Sequence, residues 1–163
     1  MANDYIPGAE RAISAKQVLD GAETGDEVVV IGGGSVGIET AELLATAGKK
    51  VTVVEMQDTI AEKMVNVTRT VVLGHLKGLG VQLLTSTKCQ EIGENSVTVV
   101  GKDGEKQEIM ANSVVIAIGD RPETSLYEEL KGKVTELYNI GDSAGAGKIA
   151  AAVNQGYYCA LNL

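Results

Sequence analysis

The sequence predicts an α/β fold, with a central parallel sheet and an antiparallel β-meander inserted in the chain order. Three observations predict it. Short valine-rich runs at 27–31, 51–55, 81–85 and 114–118 alternate with helix-length segments, the order that gives parallel strands joined by crossover helices. The first run leads straight into Gly32-Gly33-Gly34-Ser35-Val36-Gly37, a Gly-x-Gly-x-x-Gly pattern. Between the third and fourth runs lie three strand-like stretches, 88–92, 97–100 and 105–110, split by Glu94-Asn95 and Lys102-Asp103-Gly104. Such spacing reads as a meander with tight turns.

The elements follow in order. Ile6-Pro7-Gly8 reads as a turn within an entry arm over 1–26, and Ser14–Leu19 as one or two helical turns closed by Asp20-Gly21. After the strand at 27–31, the spacing predicts a helix over 36–47, burying Ile38, Ala41, Leu44 and Ala45, with Gly48 as its C-terminal stop. Residues 56–65 lack a period and read as a loop. A second helix is expected over 67–79, with Val72, Leu76 and Leu79 on one face and Gly80 ending it. Beyond the fourth core strand, 123–133 reads as a linker and 134–140 as a fifth strand stopping at Gly141-Asp142. A last helix is expected to bury Ile149, Ala152, Val153, Gly156 and Ala160.

Composition narrows the functional classes. The chain has 163 residues, enough for one well-cored domain, and 44% hydrophobic content with a mean hydropathy of +0.08 marks it as globular. No apolar run approaches the ~20 residues of a membrane span. Its first residues carry neither a basic nor an apolar signal region, so a cytoplasmic location is expected. A net charge of -8 argues against nucleic acid and anionic membranes as partners. With no Phe or Trp, the core must be built from Val, Ile, Leu and Ala, as suits a buried parallel sheet. Cys89 and Cys159 form no Cys-x-x-Cys pair and read as structural thiols. His75 has no second ligand at metal spacing, and no metal site is expected.

The glycine pattern is the part with chemistry in it. Strand, glycines, helix and then Glu55, 18 positions after Gly37, stand in the order of a dinucleotide site. Gly32 would turn the chain off the strand, Gly34 would let a diphosphate approach the backbone, and Gly37 would let the helix pack closely. Gly33, Ser35 and Val36 complete the loop, and the orphan amides and positive end of the helix that follows would face the phosphates. Glu55 would accept the ribose hydroxyls. A 2′-phosphate would meet that carboxylate with no base in Met56-Gln57-Asp58, so NAD(H) is expected over NADP(H).

The chain resembles the two-dinucleotide flavoprotein reductases, and within them the C-terminal region of the NADH:flavin oxidoreductases, the enoate and dienoyl-CoA reductases. The phrases that carry this are Ile6-Pro7-Gly8, 28–42, 50–56, 115–122, Tyr138–Asp142 and Asn154-Gln155-Gly156. The resemblance implies an NAD(H)-binding domain over 27–133, with Ile118 and Gly119 at its exit strand among the cofactor contacts. It implies that 134–163 corresponds to the end of an FAD-binding domain, where Asp142 would approach the flavin, and that Glu39 would face the nicotinamide–flavin junction. A first FAD-type glycine motif and a flavin-barrel domain do not occur in this sequence. The chain is therefore expected to be a fragment of a larger reductase, with FAD held by the parent enzyme and a partner in its missing flavin-binding portion. The expected chemistry is hydride transfer from nicotinamide to flavin, without a catalytic side chain and without turnover by the isolated chain. With the FAD sheet absent, 134–140 is expected to dock beside the fourth core strand or to pair with a second copy of the chain. The alternatives are a single FAD-binding domain, or a nucleotide-binding or docking module without catalysis.

Overall fold

The computed structural model describes residues 6–163. Residues 6–119 form one compact unit and residues 120–163 another.

The first unit is built on a five-stranded parallel sheet in the order β1-β8-β2-β3-β4. Its strands are β1 (Ile13–Ser14), β2 (Glu27–Ile31), β3 (Lys50–Val54), β4 (Gln82–Leu84) and β8 (Ser113–Ile116). The register sets Val30 opposite both Val53 and Val115. Both faces of the middle strand are covered. Val28 and Val30 join Ile38, Ala41 and Leu44 of helix α2 (Ser35–Thr46) and Leu76 of helix α3 (Asn66–Gly78). Val29 and Ile31 point to the other face, against Cys89, Ile92, Val97 and Val99 of the meander. That meander is a separate antiparallel sheet of β5 (Lys88–Ile92), β6 (Ser96–Val100) and β7 (Lys106–Met110).

The result is three layers: helices, parallel sheet, meander. A strand apolar at consecutive positions is what burial on two faces requires. Each such valine contributes about 1.5–3 kcal/mol of transfer free energy. The predicted helix stripe is also present, with Ile38 and Ala41 fully enclosed.

The expected entry arm turns out to belong to this unit. Ile13 pairs with Val115, which makes the arm the sheet's edge strand. Helix α1 (Ala15–Leu19) follows, opened by a capping box between Ser14 and Gln17. The Ile6-Pro7-Gly8 turn closes with the Ala9 amide donating to the Ile6 carbonyl at 3.0 Å, and the Pro7 carbonyl accepts from the Ile92 amide at 2.8 Å. The arm is thus stitched to both sheets.

The second unit departs from expectation. Helix α4 (Ser125–Leu130), a 3₁₀ turn at Gly141–Ser143 and helix α5 (Ile149–Leu161) form, but 134–140 joins neither sheet. The fifth strand is therefore corrected to irregular chain, and it does not dock beside the fourth core strand, β8, whose neighbours are β1 and β2. A strand exists through its ladder, and this segment has no neighbouring strand among the described residues. The α5 face is corrected too. Ala152, Gly156 and Cys159 are half-buried, while Ile149 is 85% and Val153 63% exposed. Small residues face inward because the turn comes close: a Cβ on Gly141 would stand 3.6 Å from Cβ of Ala152. The Gly141 amide donates to Gln155 Oε1 at 2.6 Å, which ties turn to helix. No residue between 120 and 163 is buried.

Candidate dinucleotide-binding site

The sheet's carboxyl edge holds a cleft of about 770 Å³ in the first unit, lined by the 32–36 loop, 54–57 and 117–119 among others. Its position follows from the topology. From β2 the chain proceeds through β3 and β4 to one side, and β8 lies on the other. Loops leaving adjacent strands on either side of such a reversal diverge and leave a crevice.

The motif glycines have separate physical causes. Gly32 has φ +109°, and a Cβ there would lie 2.5 Å from the Ala117 carbonyl oxygen. Its amide donates to the Val54 carbonyl at 2.9 Å, continuing the sheet by one bond as the chain turns. Gly37 sits in the first turn of α2, where a Cβ would lie 1.9 Å from the Gly32 carbonyl oxygen. The helix can start this close to the strand only without a side chain there. Gly33 is confined by Ile60 and Glu55, 2.6 and 3.0 Å from its missing Cβ. Gly34 differs. Its backbone is extended, at φ -72°, and a Cβ there would meet nothing within 4 Å. The fold gives no reason for a glycine at this position.

Gly34 is also the N-cap of α2, and no side chain caps that end. Amides of a first helical turn need acceptors from outside the helix, and here they open onto the cleft beside Ser35 and Val36, both lining it. An uncapped helix start, a neighbouring glycine with space where a side chain would go, and a cleft in front of it fit a diphosphate.

Glu55 lies at the end of β3. Its carboxylate accepts from the Gly33 amide at 2.6 Å through Oε2 and from the Gln57 amide at 2.8 Å through Oε1. The acid predicted 18 residues beyond Gly37 is therefore fastened to the glycine loop itself. Each oxygen keeps acceptor capacity for a hydroxyl donor. Exposed apolar groups complete the wall, with Val36 51%, Met56 63% and Ile118 44% exposed.

The structure gathers Gly32, Gly33, Gly34, Ser35, Val36, Glu55, Ile118 and Gly119 around this cleft. Gly37 is buried behind the loop and shapes it without lining it. Glu39 is exposed on α2 and does not line the cleft. Asp142 belongs to the second unit, where its Oδ1 accepts from the Gly147 amide at 3.1 Å. Thr59, Lys63, Thr87 and Lys88, which were not expected from the sequence, also line the cleft. They come from the unperiodic loop after β3 and from the start of the meander, and no local pattern marks them.

Cys89 lines the cleft as well and is 6% exposed. Burial pushes its thiol up to about 11, so at neutral pH it is protonated and a poor nucleophile. Both cysteines are free. His75 is a surface residue, with Nδ1 2.5 Å from Glu42 Oε1 across α2 and α3. No helix among the described residues is long and apolar enough to cross a membrane.

A parallel sheet, a glycine loop at its reversal point and an acid anchored to that loop define a Rossmann-like nucleotide-binding architecture. The chain belongs to the pyridine nucleotide-disulphide oxidoreductase family, which it matches over residues 3–156, and whose members are FAD- and NAD(P)-linked oxidoreductases. It is 40% identical to an NADH oxidase of Thermoanaerobacter brockii over 97% of this chain and 26% of that protein. It is 39% identical to a bilirubin reductase of Mediterraneibacter gnavus over 98% of this chain and 26% of the relative. Among solved structures, a 2-naphthoyl-CoA reductase superposes with a TM-score of 0.82 at 30% identity, covering 93% of this chain and 24% of that one. The chain thus spans about a quarter of the length of these relatives.

Proposed function

We propose that this chain is the NAD(H)-binding part of a flavin-dependent oxidoreductase, and that the flavin is carried by a portion of the enzyme outside this sequence. The observation that carries the reading is Gly34. Gly32, Gly33 and Gly37 are required by contacts within the protein, whereas the absent side chain of Gly34 opens onto the cleft.

When bound, the nicotinamide would supply a hydride to the flavin. The chain's own work is binding and orientation. The amides of Ser35 and Val36, at the uncapped start of α2, are placed to receive the diphosphate. Glu55, held by two backbone amides, is placed to accept the adenosine ribose hydroxyls. Ile118 and Gly119, at the end of β8, line the part of the cleft left for the nicotinamide. A 2′-phosphate would stand against the Glu55 carboxylate, which supports NAD(H) over NADP(H). No proton transfer by a side chain is needed. The uncovered apolar residues of α5 support a partner in the missing flavin-binding portion. Similarity to NADH:flavin oxidoreductases of the enoate reductase type is consistent with the relatives. By itself the chain would turn over no substrate.

Calorimetric titration with NADH, NADPH and FAD tests the reading. NADH is expected to bind at micromolar to millimolar concentrations, about tenfold or more tightly than NADPH. Binding of FAD in place of NADH, or no heat with NADH at millimolar concentration, would overturn it.

A further inference from the structure

The cleft sets an electrostatic problem that the glycine loop does not solve alone. A dinucleotide brings two negative charges on its diphosphate to a chain of net charge -8. Two of the side chains lining the cleft, Glu55 and Glu62, are themselves acidic. Amides at a helix start carry only a partial positive charge. At ordinary ionic strength, repulsion beyond about 10 Å is screened, but that within the cleft is not.

Two lysines line the same cleft, Lys63 and Lys88, and they are its only cations among the described residues. Each is carried by a segment fastened to the glycine loop or to its acid. Two residues before Lys63, the Ala61 amide donates to the Gly33 carbonyl at 2.7 Å. That stretch is held in place by the Arg69 Nε donating to the Ile60 carbonyl at 2.6 Å, and by a left-handed backbone at Ala61, φ 51°. One residue before Lys88, the Thr87 amide donates to the Glu55 carbonyl at 2.9 Å, while the Ser86 amide donates to the Gln57 carbonyl at 2.7 Å. Five other basic side chains of the protein, Arg11, Lys16, Lys49, Lys50 and Lys131, stand in ion pairs with carboxylates. Neither the Lys63 nor the Lys88 ammonium has a carboxylate within 4.0 Å or a hydrogen-bond partner among the described residues. Both are exposed on anchored backbone and free to turn toward a ligand.

We infer that Lys63 and Lys88 are cofactor-binding residues, supplying from outside the glycine motif the positive charge that holds the dinucleotide's diphosphate. This assignment rests on the dinucleotide reading above. A flexible ammonium suits it, since a phosphate can be held as a point charge without a fixed fork of donors.

The test is titration with NADH, ADP and adenosine, at low and high salt, of the full chain and its Lys63→Gln, Lys88→Gln and double variants. Lys102→Gln, in the exposed turn before β7, controls for loss of one charge at large. Each single variant is expected to weaken NADH and ADP binding about three- to tenfold and the double about 30-fold, with Lys→Arg restoring most of it. The double variant should also lose most of the salt dependence, and adenosine binding should not change. Wild-type binding of NADH with unaltered affinity and salt dependence in the double variant would overturn the lysine assignment alone. No NADH binding by the wild type would overturn the dinucleotide reading, and this one with it.

Discussion

Gly37→Ala should lower the stability of the 6–119 unit by about 3 kcal/mol, at the upper end of what overpacking costs. A melt followed by far-ultraviolet circular dichroism would show the midpoint falling by roughly 10 °C. The cause is a backbone collision. A methyl group at this position would lie 1.9 Å from the Gly32 carbonyl oxygen and 3.3 Å from Cβ of Ala117. Relief requires either the start of α2 to lift from the sheet or the Gly32 turn to move. The turn is held by the bond from the Gly32 amide to Val54 and by φ +109°. Lifting the helix would expose Ile38 and Ala41, both fully buried on the next turn. A midpoint unchanged within a degree or two would show that the helix is not seated as described.

Gly34→Asp should do the reverse. The position has extended backbone and open space, so the side chain fits. Aspartate is among the best N-cap residues, and its charge favours the helix start. Stability should hold or rise by a few tenths of a kcal/mol. NADH affinity should fall about 100-fold, because the carboxylate takes the amides a diphosphate would use and repels it. Calorimetry and a thermal melt on the same sample check both halves. Parallel loss of binding and stability would mean that Gly34 serves the fold. Unaltered binding would remove the diphosphate from this loop.

The two glycines separate what the sequence could tell from what it could not. Both sit in one motif, and the motif's meaning is local: strand, turn and helix within a dozen residues, then an acid at the end of the next strand. Glu55 was legible for that reason, and its bonds to Gly33 and Gln57 follow from the parallel neighbouring of β2 and β3. The burial of α2 was legible from its period alone. Lys63 and Lys88 were not, since they reach the cleft through backbone bonds from Ala61 to Gly33 and from Thr87 to Glu55. Such contacts leave no pattern in the neighbouring sequence. Ile13–Ser14 is too short to be recognised as a strand, and gains that state from β8 beside it. The stretch 134–140 has strand-like residues without a ladder. For α5, the apolar period predicted burial, but the part of the helix that meets the chain is its small-residue stripe.

The most direct test is an amide spectrum of the ¹⁵N-labelled protein during addition of NADH. The largest shifts are expected on Gly33, Gly34, Ser35 and Val36, with Glu55 and Gln57 following and the turn at 102–104 unmoved. Shifts centred elsewhere, or none at millimolar NADH, would contradict dinucleotide binding at this loop.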